Sequence, residues 1–389
     1  MKKKLLSNKE SHLEKNPDAE ENRPARAVSK KVFWLRLVGI VLGSLVAVVL
    51  LAVMGYHIIL DYYLGKINIV TEEDLVYETE RVEEENSFLQ DTEALEQSGI
   101  LTEGDLPLIS DTKEVTNILL IGVDGAEDNR ALRTDVMMLL SINEKTKKIT
   151  LCSFMRDLYA RYPTEPANPI NGDLDKLNHA HMYGGPELTL AVLKETFNID
   201  IQRYVKINFT SFVHLVDAMG GIDVELTAKE INYINHAQKG TAELSHLNSY
   251  PTKSLPQRDG LTHLNGIQAL THARNRKTDS DFGRTNRQRE IIMAMIEKMK
   301  GLSLGELNAS LNVFLPFVTT NIQAWEMKGM ILQLPACAFY DIVSTHIPQE
   351  GSYYGVDYNL VPDVPYNSFY LYETIYGKRA DGDPRTLSE

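Results

Sequence analysis

Apolar residues are spread unevenly along the chain, and their spacing predicts its elements in order. Residues 37–60 (LVGIVLGSLVAVVLLAVMGYHIIL) are apolar apart from Ser44 and His57. A helix of that length crosses a hydrocarbon core of roughly 30 Å. Residues 1–31 are polar, with Pro17, Pro24 and no apolar period, and are expected to lack a fold of their own. Beyond the span, 61–114 is rich in acids and reads as a stalk. From Val115 the pattern changes. VTNILLIGV (115–123), DVMMLLSIN (135–143) and KITLCSFM (148–155) are apolar runs of strand length separated by polar loops. PELTLAVLKETF (186–197), TSFVHLVDAMG (210–220), LNGIQALTHAR (264–274) and RQREIIMAMIEKMK (287–300) repeat apolar positions at three and four, the period of a helix. YVKINF (204–209) and IDVEL (222–226) are further strands, and polar 227–260 is expected to be a long surface insertion. A helix-like pattern follows residue 302, LPACAFYDIV (334–343) reads as strand-like, and the Tyr-rich end has no assignment. Interleaved strands and helices predict an α/β (α+β) class, a central mixed β-sheet flanked by helices. The division that follows is a cytoplasmic tail 1–31, a transmembrane helix 32–60, an acidic stalk 61–114, a globular domain 115–360 and a C-terminal tail 361–389.

Charge orients this arrangement. Lys30, Lys31 and Arg36 precede the span, while 61–114 holds three cations against sixteen acids. The positive-inside rule places the N-terminus in the cytoplasm and everything after the single span outside the cell membrane. Gly39 and Gly43 form a G-x-x-x-G pair, a candidate homodimer face. The whole chain has net charge −13, so a broad basic face is missing and nucleic acid is excluded as a partner. Cys152 and Cys337 lie in apolar, strand-like runs and are expected as two buried free thiols rather than a disulfide.

The candidate chemistry comes from convergence. The first strand ends at Asp124 and the second opens at Asp135, so both carboxylates lie at one end of the sheet. The third strand runs back antiparallel and delivers Arg156 to the same end. Residues 271–290 (THARNRKTDSDFGRTNRQRE) carry six cations against three acids. Arg274 and Arg276 close one predicted helix; Arg284, Arg287 and Gln288 open the next and share a face, behind Asp279, Ser280 and Asp281 as candidate N-caps. Guanidinium forks beside a helix N-terminus suit phosphate. Taken alone, such a run is more often a solvated, salt-bridged helix start; the converging aspartates and Arg156 favour the anion site. Asp124 and Asp135 suit Mg²⁺, which takes one or two carboxylates together with substrate phosphates. His179 and His181 lack further ligands in the sequence and are set aside as a zinc site. No G-x-S-x-G elbow or phosphate-binding P-loop is present.

The pieces NILLIGVD (117–124), RTD (133–135), SFMRD (153–157), KLNHAHMYGGPE (176–187), YVKINFTSF (204–212), VDAMGGIDVEL (216–226), LNGIQALTHARNR (264–276) and DFGRTNRQR (281–289) resemble, in order, the LytR-CpsA-Psr family of cell-wall enzymes. One position departs: the family usually has proline where Met155 precedes Arg156. The resemblance implies a phosphotransferase that moves a glycopolymer, such as wall teichoic acid or capsular polysaccharide, from a polyprenyl-pyrophosphate carrier to N-acetylmuramic acid of peptidoglycan. Carried onto this chain, Asp124 and Asp135 would hold Mg²⁺, with Mn²⁺ as the alternative. Arg156, Arg274, Arg276, Arg284 and Arg287 would bind the pyrophosphate with Gln288, Lys176 and Asn178. Asp281 or Asp157 would accept the attacking hydroxyl's proton, and the helices 186–197 and 212–219 would line a tunnel for the lipid. The alternatives are a polyprenyl-phosphate-binding regulator without turnover and a polyprenyl-pyrophosphate pyrophosphatase.

Overall fold

Three apolar runs joined by short loops can bury their backbone polar groups by pairing with one another, and they do. The computed structural model describes residues 48–70, 95, 97–100, 105–124, 133–164, 172–356 and 359–385. Its sheet contains β1 (Asn68–Ile69), β2 (Val115–Val123), β3 (Thr134–Asn143), β4 (Lys148–Phe154), β5 (Tyr204–Ile207), β6 (Thr319–Thr320) and β7 (Asp341–Ile347). Their order across the sheet is β1-β6-β5-β2-β3-β4-β7. The β2-β3-β4 meander is antiparallel, β5 joins β2 in parallel and β7 joins β4 in parallel, so the sheet is mixed.

Helices α1 (His179–Phe197), α2 (Phe209–Ala218), α3 (Ala228–Leu244), α4 (Gly266–Ala273), α5 (Asp281–Lys300), α6 (Leu304–Phe314), α7 (Ala324–Cys337) and α8 (Val364–Tyr376) follow in the chain. Side chains alternate across a strand, and that alternation divides the core. Leu119, Ile121 and Val123 pack with Val192, Leu193 and Phe197 of α1 and with Leu371 and Ile375 of α8. Leu120 and Val136 border an apolar cavity, also lined by Ile121 and Val123, that α2, α4 and α5 close. Beyond it, Val216, Met219, Leu264, Ala269, Ile291 and Met295 form a second core with the antiparallel pair Ile222–Leu226 and Gly260–Leu264. Gly185 sits at φ 64°, a turn that favours glycine, where α1 kinks before Pro186.

Several expectations change. Residues 227–260 are no bare insertion: α3 fills half of them behind a capping box of Thr227 and Glu230. LPACAFY holds the end of α7, so Cys337 is helical; Cys337 and Cys152 are both free and buried. The segment set apart as a C-terminal tail contains α8, whose Phe369, Leu371 and Ile375 are buried. Part of the expected stalk joins the sheet as β1, which pairs with β6.

The chain divides into two units, Met1–Ile59 and Leu60–Glu389. In the first, residues 48–59 are helical. Among the described residues no helix is long and apolar enough to cross a membrane. The expected cytoplasmic tail, positions 32–47 of the expected span with Gly39 and Gly43, and stalk residues 71–94, 96 and 101–104 lie outside the described residues.

Candidate active site

The site begins with an irregularity in the sheet. Gly122 pairs with Val136 and Val123 with Thr134, so Asp135 is the extra residue of a β-bulge. A bulge leaves one residue without a ladder partner and re-aims its side chain. The Asp135 carbonyl accepts from Arg284 Nη2 at 3.2 Å, and Asp135 Oδ1 meets three guanidinium groups. These are Arg284 Nη2 at 2.8 Å, Arg156 Nη1 at 3.3 Å and Arg276 Nη2 at 3.3 Å. The Asp135 side chain is only 7% exposed. Burial alone would raise its pKa, but the charges of Arg284, Arg156 and Arg276 outweigh it and hold the carboxyl below its ordinary value.

Asp124 follows β2 at the same end, its amide bonded to the Arg133 carbonyl and Oδ1 lying 3.4 Å from Arg274 Nη2. Its pKa moves the other way. Burial and the neighbouring Asp135 charge raise it, and Arg274, Arg284 and Arg276 offset them only in part. The cations are crowded as well: burial and the like charges of Arg284 and Arg156 depress Arg276. Asp124 and Asp135 thus face four guanidinium groups between them, and guanidinium forks suit the oxygens of an anion.

Asp124, Asp135, Arg156, Asn178, Arg274 and Arg276 line one side of a cavity of about 600 Å³. Arg133, which had no assigned role, lines it too, and its place in RTD two residues before Asp135 was the available signal. The other side is α3, through Tyr233, His236 and Gly240. Asn178 also braces the site through its backbone: its carbonyl accepts from Thr134 and its amide donates to the Arg156 carbonyl. The second, apolar cavity is about 220 Å³, lined by Phe209, Phe212, Leu215, Leu270, Ile292 and Phe314 among others. Asp135 borders both cavities. Phe209 of the apolar cavity carries the Arg274 guanidinium 4.5 Å from its ring centroid.

Other predicted residues have different surroundings. Ser280 is the N-cap of α5, accepting from the Gly283 amide at 3.3 Å. Arg284 and Arg287 share a face in sequence, but Asp279 captures Arg287 with two bonds of 2.8 Å, and Nη2 also donates to the Asn275 carbonyl. Arg287 therefore braces the loop before α5 and does not line the cavity. The Asp279 carboxylate lies over Gly283, where a Cβ would collide with it. Gln288 borders the apolar cavity and donates to the Ala273 carbonyl at 3.4 Å. Lys176 lies on the strand Leu174–Lys176, away from the cavity lining. Asp281 is 3.8 Å from Arg276 Nε and 3.9 Å from Arg284 Nη1, and Asp157 is bonded to Arg156 Nε at 3.0 Å. His179 is buried against Asp175, which also accepts from the Tyr183 hydroxyl. The apolar cavity is lined by α2, as expected, but with α4 and α5 as its other helices; α1 lies on the opposite face.

Among the described residues no group of three histidine, cysteine or acidic side chains is placed to hold a metal. Asp124 and Asp135 are still compatible with a hard divalent ion that takes its other ligands from phosphate oxygens. Burial first, and the Asp135 charge second, hold the Asp124 carboxyl up, and such an ion would offset both.

The LytR_cpsA_psr family profile matches residues 70–368, a span that contains every element of this site. The chain belongs to the LytR_cpsA_psr family. The chain is 32% identical over 265 residues to the polyisoprenyl-teichoic acid–peptidoglycan teichoic acid transferase TagU of Oceanobacillus iheyensis, covering 66% of this chain and 74% of that relative. It is 33% identical over 223 residues to the biofilm regulatory protein A of Streptococcus mutans, covering 56% of this chain and 52% of that protein. A solved structure of TagT bound to LI-WTA superposes with a TM-score of 0.53 at 26% identity, covering 72% of this chain and 99% of that one. Protein gbs0355 from Streptococcus agalactiae gives 0.54 at 26% identity, covering 69% and 90%. The LytR_cpsA_psr fold is thus shared, a mixed sheet between helix layers.

Proposed function

We propose that this protein transfers an anionic glycopolymer from a polyprenyl-pyrophosphate carrier to peptidoglycan through a new phosphodiester. The observation that carries the reading is Asp135, which borders an arginine-rich polar cavity on one side and an apolar cavity on the other. A ligand that fills both has an anionic head joined to a hydrocarbon chain. The names of the relatives point the same way: TagU is named as a teichoic acid transferase to peptidoglycan.

Arg156, Arg274 and Arg276 bind the pyrophosphate oxygens and take up the charge that builds in the transition state, while Arg284, 3% exposed and outside the cavity lining, holds Asp135 in place. Asp124 and Asp135 would hold Mg²⁺, which when bound polarises the phosphoryl oxygens. An acceptor hydroxyl attacks the phosphorus that carries the glycan, the bond to the bridging oxygen breaks, and polyprenyl phosphate leaves with that electron pair. The hydroxyl proton goes to a carboxylate at the cavity. Asp157, bonded to Arg156 Nε at 3.0 Å, and Asp281, 3.8 Å from Arg276 Nε, are the candidates to receive it. Residues 37–60 anchor the chain in the cell membrane with the catalytic unit outside, where the donor's pyrophosphate is the source of energy.

The test uses the purified full chain with a short-chain polyprenyl-pyrophosphate glycan, peptidoglycan oligomers and Mg²⁺. Mass spectrometry should find a phosphodiester-linked adduct that disappears with EDTA and in Asp135→Asn. Tight lipid binding without any adduct would reduce the protein to a binder. Free phosphorylated glycan would make water the acceptor.

A further inference from the structure

A helix on the surface of a domain ordinarily turns its apolar stripe to the core and polar side chains to water. The outer side of α7 departs from this. Trp325 is 74% exposed, Leu332 66% and Phe339, just past the helix end, 89%. The Phe339 amide still donates to the Ala336 carbonyl, so the helical path continues to it. Seven residues make almost two full turns, so these three side chains form one line about 21 Å long. Gly329 and Ala336, also exposed, fall between them.

Charge is kept off this line. α7 contains two ionic side chains, and both turn back to the domain. Glu326 pairs with Arg203, which also holds Asp111, and Lys328 pairs with Asp61. Apolar side chains scattered singly are ordinary on a surface; aligned and uncharged, they mark a place of contact.

The path of the chain says what covers it. Asp61 is the first residue after the apolar run 37–60, and Lys328 fastens it to α7. Tyr62 and Tyr63 donate to Asn312 and Asn308 of α6, and Lys66 reaches Asn312 at 2.6 Å. The residues that leave the run are therefore tied to α6 and α7 with no slack between. Tryptophan and tyrosine are also the side chains favoured where lipid meets water.

We propose that α7 is a lipid-docking helix, whose Trp325, Leu332 and Phe339 enter the head-group layer of the bilayer that holds residues 37–60. The inference rests on the reading of that run as an anchor and adds a second, peripheral contact to it. Because the line is uncharged, docking needs no anionic lipid. It also sets the height of the site. α7 runs from Arg203, just before β5, to Tyr340, whose hydroxyl accepts from Lys147 in the turn between β3 and β4. Asp124 and Asp135 lie at the other end of these strands. Docking would hold the arginine-rich cavity about 30 Å from the lipid surface, the length of the nine-residue β2.

Trp34 and Trp325 are the two tryptophans of the chain, so Trp34→Phe leaves one reporter on the stripe. The full chain with Trp34→Phe is reconstituted into phosphatidylcholine vesicles, with and without bromine on the acyl chains. Trp325 emission should be blue-shifted, quenched by brominated lipid and protected from aqueous acrylamide. Leu332→Ser and Phe339→Ser each remove one apolar anchor and should lower the ratio of docked to undocked protein about tenfold, and bromolipid quenching with it. Leu332→Met should preserve both. Red-shifted emission that acrylamide quenches freely would overturn docking. Blue-shifted emission that brominated lipid leaves unquenched would also overturn it, by giving the stripe a protein partner. That partner is a second copy if the shift is lost on dilution with empty vesicles, and a segment of this chain if it persists. A chain that fails to float with the vesicles would remove the anchor reading and the docking together, whereas a floating chain with unquenched Trp325 removes docking alone. Leu332 and Phe339 are not core side chains, and circular dichroism of each variant confirms the fold before quenching.

Discussion

Asp135 is the shared counter-ion of three arginines, and its neutralisation has a calculable cost. In Asp135→Asn the side chain keeps its shape and one acceptor oxygen but loses its charge. Arg156, Arg276 and Arg284, all within 3.3 Å of one carboxylate oxygen, are then left facing one another. Removing one partner of a buried ionic pair costs about 3–5 kcal/mol. Arg284 is 3% exposed and bears that cost in full, whereas Arg276 is 41% exposed and partly screened by water. The lower end applies, about 3 kcal/mol. Arg284→Met removes the shortest of the three contacts and leaves Asp135 with two, so about 2 kcal/mol is expected. Both substitutions break one network, so the double variant should cost about 1–2 kcal/mol less than the sum of the singles.

Urea unfolding of the four proteins measures this cycle directly. Inorganic pyrophosphate supplies a second check, because an anion that settles among the arginines replaces the missing carboxylate. It should raise the Asp135→Asn midpoint more than the wild-type midpoint, and added salt should shrink the difference. A wild-type midpoint for Asp135→Asn would refute the shared-counter-ion argument, as would strict additivity of the two single costs.

Three further outcomes follow from other parts of the fold. His272 is buried with neither ring nitrogen hydrogen-bonded, and burial pushes its pKa down to about 4; Glu230 and Asp279 oppose the shift and Arg287 adds to it. The unfolded chain binds a proton near pH 6.5 that the folded chain refuses, so stability falls as pH drops from 6.5 and the loss is complete below about 4. It totals about 3 kcal/mol, and His272→Gln should flatten the slope in a pH series of unfolding midpoints. Gly266 lets α4 cross α2 closely: a Cβ there would meet Val213 Cα at 2.8 Å and its carbonyl closer still. Gly266→Ala should cost about 3 kcal/mol in urea unfolding, since backbone must move to admit the methyl. Leu215→Trp should fill the apolar cavity and weaken polyprenyl-pyrophosphate binding about tenfold, while leaving affinity for inorganic pyrophosphate unchanged.

The site was legible where direction alone decided it. Asp124 ends one strand, Asp135 opens the next and Arg156 follows the third, so any antiparallel meander gathers them at one end. What spacing could not show is that Asp135 is a bulged residue, because the extra position appears only once β2 and β3 are in register. Arg287 was misplaced for a related reason. Helical spacing puts it beside Arg284, but Asp279, in the loop before the helix, outcompetes the cavity for its fork. The α3 wall was missed because its buried stripe, Ile231, Ile234, Gln238, Thr241 and Ala242, is only partly apolar. The readable signal was the cap, Thr227 followed by Glu230. For α8 it was Asp363 followed by Pro365, an N-cap with proline in the first turn, closed by Gly377 in the left-handed region.

Met155 tests how far a departure from a family pattern changes a site. Its amide donates to the Ile347 carbonyl at 2.9 Å, extending the β4–β7 pairing by one residue. Proline at this position would fix the backbone but could not make that bond. The Met155 side chain is buried, and its sulfur accepts from the Thr285 hydroxyl at 3.2 Å, which joins the strand exit to α5 beside Arg284. Methionine thus holds the turn through two contacts where proline would hold it through ring geometry. Arg156 leaves that turn and still reaches Asp135 at 3.3 Å. The substitution changes how the strand exit is fastened, and the guanidinium that the exit delivers arrives at the same carboxylate.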